Sequence, residues 1–169
     1  ANLMLGNLSD ARNLAEKAMK ENPDSVTNKL ALAAVMSEQL LYSRSEELFK
    51  SAMRGSRNSS LAGRLFASAL LRQNKIDGAE QILKETLIKQ GKDGPTIALY
   101  SELEWEKRNF DYAAELRIEA EKLYREAGNS IKADEMLAWL NIEALPTIKK
   151  IQKPPKKPQP KMQAEPIVS

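Results

Sequence analysis

The sequence predicts an all-α protein, a stack of helical hairpins in which each hairpin covers the next. Three observations carry that reading. The 169-residue chain repeats itself every 34 residues without a gap, and a fixed period of that length marks a repeat architecture. Small residues recur seven positions apart within each period, which places them on one helix face two turns apart. Breaker-rich stretches, "KENPDSV", "RGSRNSS" and "KQGKDGPT", part the periods. With 42% hydrophobic residues the chain can bury the core of one domain and still carry a tail.

The elements follow in order. The first unit, about residues 1–25, is partial: "ANLML" reads as the end of a first helix and "LGNLSDARNLAEKAMKENP" as a second. Two-helix units follow at 26–59, 60–93 and 94–127. A large apolar residue opens each second helix (Leu8, Tyr42, Ile76, Phe110) and plugs the corner of the hairpin. A residue of helix N-cap type comes next (Ser9, Ser43, Asp77, Asp111). Ser43 with Glu46 and Asp77 with Glu80 have capping-box spacing. Small residues then recur as Ala11, Ser45, Ala79, Ala113 and as Ala18, Ala52, Thr86, Ala120, where a neighbouring helix must come close. The first helices carry a bulky column, Leu32, Phe66, Tyr100, each followed by a small residue, Ala33, Ala67, Ser101. Gly94-Pro95 sets proline where a helix can begin. Residues 129–145 continue the period as one capping helix, with Asn129 or Ser130 as its cap and Pro146 as its stop. Residues 146–169 form an extended or disordered tail holding six of the eight prolines.

The period, the small and large columns and "LGNLSDARNLAEKAMKENP" resemble the tetratricopeptide repeat family, over roughly Ala1 to Ala127. The resemblance implies a right-handed α–α superhelix of about three and a half repeats, closed by the capping helix. There are departures. Only the first repeat ends in the family's proline, Pro23, with Arg57, Gly91 and Arg125 in that column later. Gly63 replaces a large residue, and a mid-helix glycine costs about 1 kcal/mol against alanine. Glu104 replaces an apolar one.

The chain contains no cysteine and no histidine. That excludes disulfides, Cys/His zinc sites and imidazole acid–base steps. Glu102 and Glu106 share a helix face, but without histidine, cysteine or a glycine-rich phosphate loop they do not make a catalytic site. The expectation is a protein that is not an enzyme and has no cofactor, metal or small-molecule substrate. No apolar run is long enough to cross a membrane, and the N-terminus lacks the features of a signal peptide. It also lacks an initiator Met, so a processed chain or a fragment is expected. Nothing points to a compartment. Arg117, Glu121 and Arg125, at i,i+4 spacing, read as a solvated, self-paired face.

The resemblance implies a binding module whose first helices line a concave groove. Its groove positions fall on Leu30, Ala34, Ser37 and Glu38, then Arg64, Ser68, Leu71 and Arg72, then Ala98, Glu102, Trp105 and Glu106. The Lys/Asn set with which some members clamp a C-terminal carboxylate is absent. Trp105 and Trp139, the only tryptophans, are one period apart in the column of Ser37 and Leu71. They read either as an aromatic strip anchoring an apolar partner or as packing that seals the last repeat. A groove with Arg64 and Arg72 beside Glu102 and Glu106 suits an amphipathic helix or peptide.

Charge is divided along the chain. From Pro146 onward Lys149, Lys150, Lys153, Lys156, Lys157 and Lys161 face one acid, Glu165, for +5. The other 145 residues, with 20 basic and 22 acidic side chains, carry −2. The tail reads as a linker, as a docking segment with PxxP spacing in "KPPKKPQP", or as an electrostatic contact with nucleic acid or an anionic membrane. The expected function is a protein–protein scaffold or adaptor that holds a partner segment in the groove, with the tail as a second contact. The competing class is an assembly factor whose tail binds nucleic acid, membrane or a larger complex.

Overall fold

The computed structural model describes residues 2–55 and 60–151, without the side chains of residues 2–6. Every element among them is helical. The hairpins are α2 (Val26–Glu38) with α3 (Tyr42–Gly55), α4 (Ser60–Arg72) with α5 (Ile76–Gln90), and α6 (Gly94–Glu106) with α7 (Phe110–Glu126). They are preceded by α1 (Asn2–Glu21) and followed by α8 (Ser130–Trp139), a π-turn (Leu140–Ala144) and α9 (Leu145–Ile151).

The columns fill the core. Ala33, Ala67 and Ser101, then Ser45, Ala79 and Ala113, then Ala52, Thr86 and Ala120 are all buried. The tightest packing is within hairpins, and it repeats with one polar detail exchanged. The Ser45 hydroxyl donates to the Ala33 carbonyl (2.8 Å), and the Ser101 hydroxyl to the Ala113 carbonyl (2.7 Å). The contact is the same in both hairpins, with serine on opposite partners. α2, α4 and α6 also touch one another, while α3, α5 and α7 come no comparably close. Equivalent helices meet where a curved stack is compressed, so α2, α4 and α6 form the inner, concave layer.

The hairpin turns differ from the capping-box expectation. Leu40, Asn74 and Arg108, one period apart, all have positive φ (62°, 57° and 64°). The next amide in each case, on Leu41, Lys75 and Asn109, donates back to Met36, Leu70 and Glu104. This is the Schellman closure, with a left-handed residue after the helix. The chain then enters the second helix directly at its large apolar residue. Asp77 and Asp111 therefore lie one residue inside α5 and α7, and the residues at the cap positions make no side-chain cap bond. The two aspartates act through the helix dipole instead. Glu46 and Glu80 reach the next repeat rather than their own cap: Glu46 pairs with Lys75, and Glu80 with Lys107 (2.8 Å). Side-chain caps sit between hairpins, where Ser25, Asp93 and Asn129 accept from Asn28, Thr96 and Lys132.

Two boundaries move. Ser9 lies inside the unbroken α1 and does not cap a separate second helix. The stop expected at Pro146 does not occur there, and the helix runs on to Ile151. The π-turn explains this. Its wider ring, closed by the Leu145 amide on the Leu140 carbonyl, leaves Pro146 in the first turn of α9. There its missing N–H costs nothing.

Candidate binding cleft

Along the inner face, charge is mostly neutralised within the array. Arg72 pairs with Glu38 across two repeats (2.9 Å). Arg64 is held by the Ser60 hydroxyl (3.0 Å) and the Asp93 carboxylate (3.2 Å). Ser37 is 4% exposed, so its column begins inside the core and opens outward through the half-buried Leu71 to the tryptophans.

Trp105 on α6 and Trp139 on α8 are both half-buried and meet edge to face, with ring centroids 4.8 Å apart. Phe110 takes the other side of Trp105 at 4.6 Å. Each ring packs against its aromatic neighbours and remains partly exposed. The pair floors a cleft of about 550 Å³ between α6, α7 and the end of α8. Its walls are Glu102, Glu106, Glu135 and Glu143, with Met136 and Arg117 below.

Arg117 is the residue that the charge-pattern reading missed. It is 4% exposed, not part of a solvated face, while Arg125 alone continues the surface pairing with Glu121 and Asp134. Its guanidinium carbon lies 4.3 Å from the Trp139 ring centroid, a cation–π contact in a sheltered site. Nη1 is 3.3 Å from the Met136 sulfur and 3.8 Å from Glu102 Oε1. Its Nε is buried with no partner among the described residues. The 34-residue period held the signal: stepping back from Arg117 gives Leu83, Phe49 and Ala15, all buried.

Burial pulls Arg117 below its ordinary pKa, and Glu102, Tyr124 and Glu143 oppose that. Burial by the cleft wall likewise pushes Glu102 above the usual glutamate value, against the pull of Arg117. More than half of the Glu102 side chain remains open to solvent. Glu135 pairs with Lys132 (2.6 Å), whereas Glu106 and Glu143 have no ion-pair partner among the described residues. The carboxylates ring the opening without converging on a metal-sized point. Of the tail lysines, Lys149 and Lys150 are exposed on α9, and Lys153, Lys156, Lys157 and Lys161 lie outside the described residues.

Fold and cleft together define a class, a helical-repeat array with an open cleft lined by its inner helix α6. No protein-family model matches the chain, and no curated protein sequence does. Solved structures do. YrrB, a TPR protein with an unusual peptide-binding site, superposes with a TM-score of 0.51 over 86% of both chains at 17% identity. MamA from residue 41 to its end, from Desulfovibrio magneticus RS-1, gives 0.53 over 90% of this chain and 91% of its own at 11% identity. At these identities the likeness is one of fold: the chain has the tetratricopeptide-repeat fold, an α–α superhelix. No helix among the described residues is long and apolar enough to cross a membrane.

Proposed function

We propose that the array is a scaffold or adaptor that holds a peptide or amphipathic helix of a partner protein on its inner face, at the two-tryptophan cleft. The tail lysines, Lys149 to Lys161, make a second contact. The observation that carries this reading is the open aromatic floor ringed by carboxylates (Trp105 against Trp139, 4.8 Å). Aromatic floors with few, placed polar groups are the usual anchors for a partner's side chains. The peptide-binding site of YrrB, on the same fold, supports it. The role is one of capture, with no step of covalent chemistry.

The test is site-specific photo-crosslinking in the full chain. A photoreactive residue at Glu106, on the cleft rim, is compared with one at Ile88, which is 84% exposed on α5. The expected result is a discrete partner linked at Glu106 only, and lost when Glu143→Lys is added without a change in melting temperature. Equal capture at both positions, or capture indifferent to Glu143→Lys, would sink the reading.

A further inference from the structure

The cleft is unlike the rest of the inner face because its charge is not cancelled from within. Four carboxylates surround it, against one buried guanidinium and one outlying lysine. Its chemistry is that of a receptor for cationic side chains on an apolar backbone. Lysine stems and proline rings pack on indole faces, and ammonium heads reach carboxylates at the rim. The same chain carries such a segment. Residues 152–169 hold Lys153, Lys156, Lys157 and Lys161 interleaved with five of the chain's eight prolines.

We propose that the acidic cleft binds this segment of its own chain, so that the array's partner site is competed for in cis. The inference rests on the cleft being a binding site and names the chemistry it selects. Position supports it. Ile148 on α9 packs in one cluster with Trp105 and Trp139, and the described chain ends three residues later, at Ile151. Ile148 and Ile151 line the neighbouring pocket at the start of α7 together with Phe110, whose ring packs on Trp105, so the segment begins one aromatic ring away from the cleft. Its 18 residues span about 55 Å at ~3.1 Å each in the polyproline conformation that such a composition favours. Lys153, Lys156 and Lys157 fall within the first ~20 Å of that reach. Lys153 and Lys156 are one polyproline turn apart, about 9 Å along one edge, so two ammonium groups can meet opposite walls of one cleft. The tether supplies affinity without new contacts. An effective concentration on the order of 1 mM fills half of a site whose affinity for the free segment is also ~1 mM.

The experiment reads the two indole N–H resonances, since Trp105 and Trp139 are the protein's only tryptophans. They are followed in the ¹⁵N-labelled full chain, in wild type and in K153E/K156E/K157E/K161E, while salt is raised from ~0.01 to ~1 M and the Debye length falls from about 30 to 3 Å. The expected result is that the wild-type resonances move with salt. Those of the tail variant should lie at the high-salt positions throughout, and tenfold dilution should change neither. The rim variant E106K/E143K with the natural tail should also lose the salt response. Combining it with the tail variant should restore the response, because the charges are then exchanged. Coincident wild-type and tail-variant spectra at low salt would overturn the proposal. So would a shift that vanishes on dilution, which assigns the contact to a second copy. A synthetic peptide of residues 152–163 that shifts the tail variant while wild type shows no salt response would also overturn it, and would assign the cleft to a basic segment of another protein. Loss of the cis contact with crosslinking at Glu106 intact removes this inference alone. A tail contact without any captured partner removes the scaffold reading alone.

Discussion

Arg117 occupies a position that three earlier repeats fill with Ala15, Phe49 and Leu83. A buried guanidinium held by a ring face, a sulfur and one distant carboxylate is poorly compensated, and replacing such a group with an apolar one is often neutral or stabilising. Arg117→Leu should therefore change unfolding free energy by between nothing and a gain of about 2 kcal/mol, read by urea denaturation. A loss above that size would mean that Arg117 is structural. A second residue-scale prediction comes from the hairpin turns. A side chain in the left-handed region costs roughly 1–2 kcal/mol, partly offset by the extra entropy of an unfolded glycine. Leu40→Gly and Arg108→Gly should each raise stability by about 0.5–1 kcal/mol, and Asn74→Gly by less, because asparagine tolerates that region. Equal effects at all three positions would refute the account. Neither feature could be read residue by residue. The period alone marked Arg117 as a core position, and no local signal outweighed its charge.

At the scale of helices, Gly63 explains Thr86. A Cβ on Gly63 would lie 1.9 Å from the Thr86 hydroxyl oxygen and 2.9 Å from its Cβ. Thr86 is the one large member of the column Ala18, Ala52, Thr86, Ala120, and α4 makes room for it by losing a side chain. The sequence showed the glycine as a defect and the threonine as a variant. Their compensation is a contact across two helices, invisible without the packing. Gly63→Ala should cost about 1–3 kcal/mol through overpacking, although alanine is the better helix former. Adding Thr86→Ala should recover part of that cost, not all, since its own Cβ stays at 2.9 Å. Additive effects in the double-mutant cycle would show that the two residues do not meet. α9 teaches the same lesson. The stop that proline signals was absorbed by a π-turn one residue before it.

At the scale of the molecule, repeats are joined by contacts that the period does not dictate. Lys107, in the hairpin turn of the fourth repeat, bonds Glu80 of the third (2.8 Å) and the buried Glu104 (3.1 Å), which Asn109 also satisfies (2.6 Å). Lys107 above all, then Lys84, holds the Glu80 carboxyl below its ordinary value of 4.5. Its contribution to stability is therefore present above pH 4.5 and is lost as pH falls through the lower, folded-state value. Lys107→Met should be less stable than wild type at neutral pH, and the difference should narrow below pH 4.5. Thermal melts across that range measure it, and a constant difference would place the effect elsewhere. In a stack held by nearest neighbours, such a bridge couples two repeats, and its loss should broaden the unfolding transition.

The sequence by itself determined the hairpins, their order and the small residues that let them pack. These depend on local periodicity and on the adjoining unit, which a 34-residue repeat writes out in full. It also placed Trp105 and Trp139 in one column, and both stand in the cleft. Only the tertiary structure decided that Arg64 and Arg72 are neutralised by partners, that Arg117 lies beneath an indole, and that Glu135 and Glu143 complete an acidic rim. Those facts depend on three helices converging where no further hairpin follows α8 among the described residues. Which charges are cancelled there is set by distances between repeats, and a sequence column does not contain them.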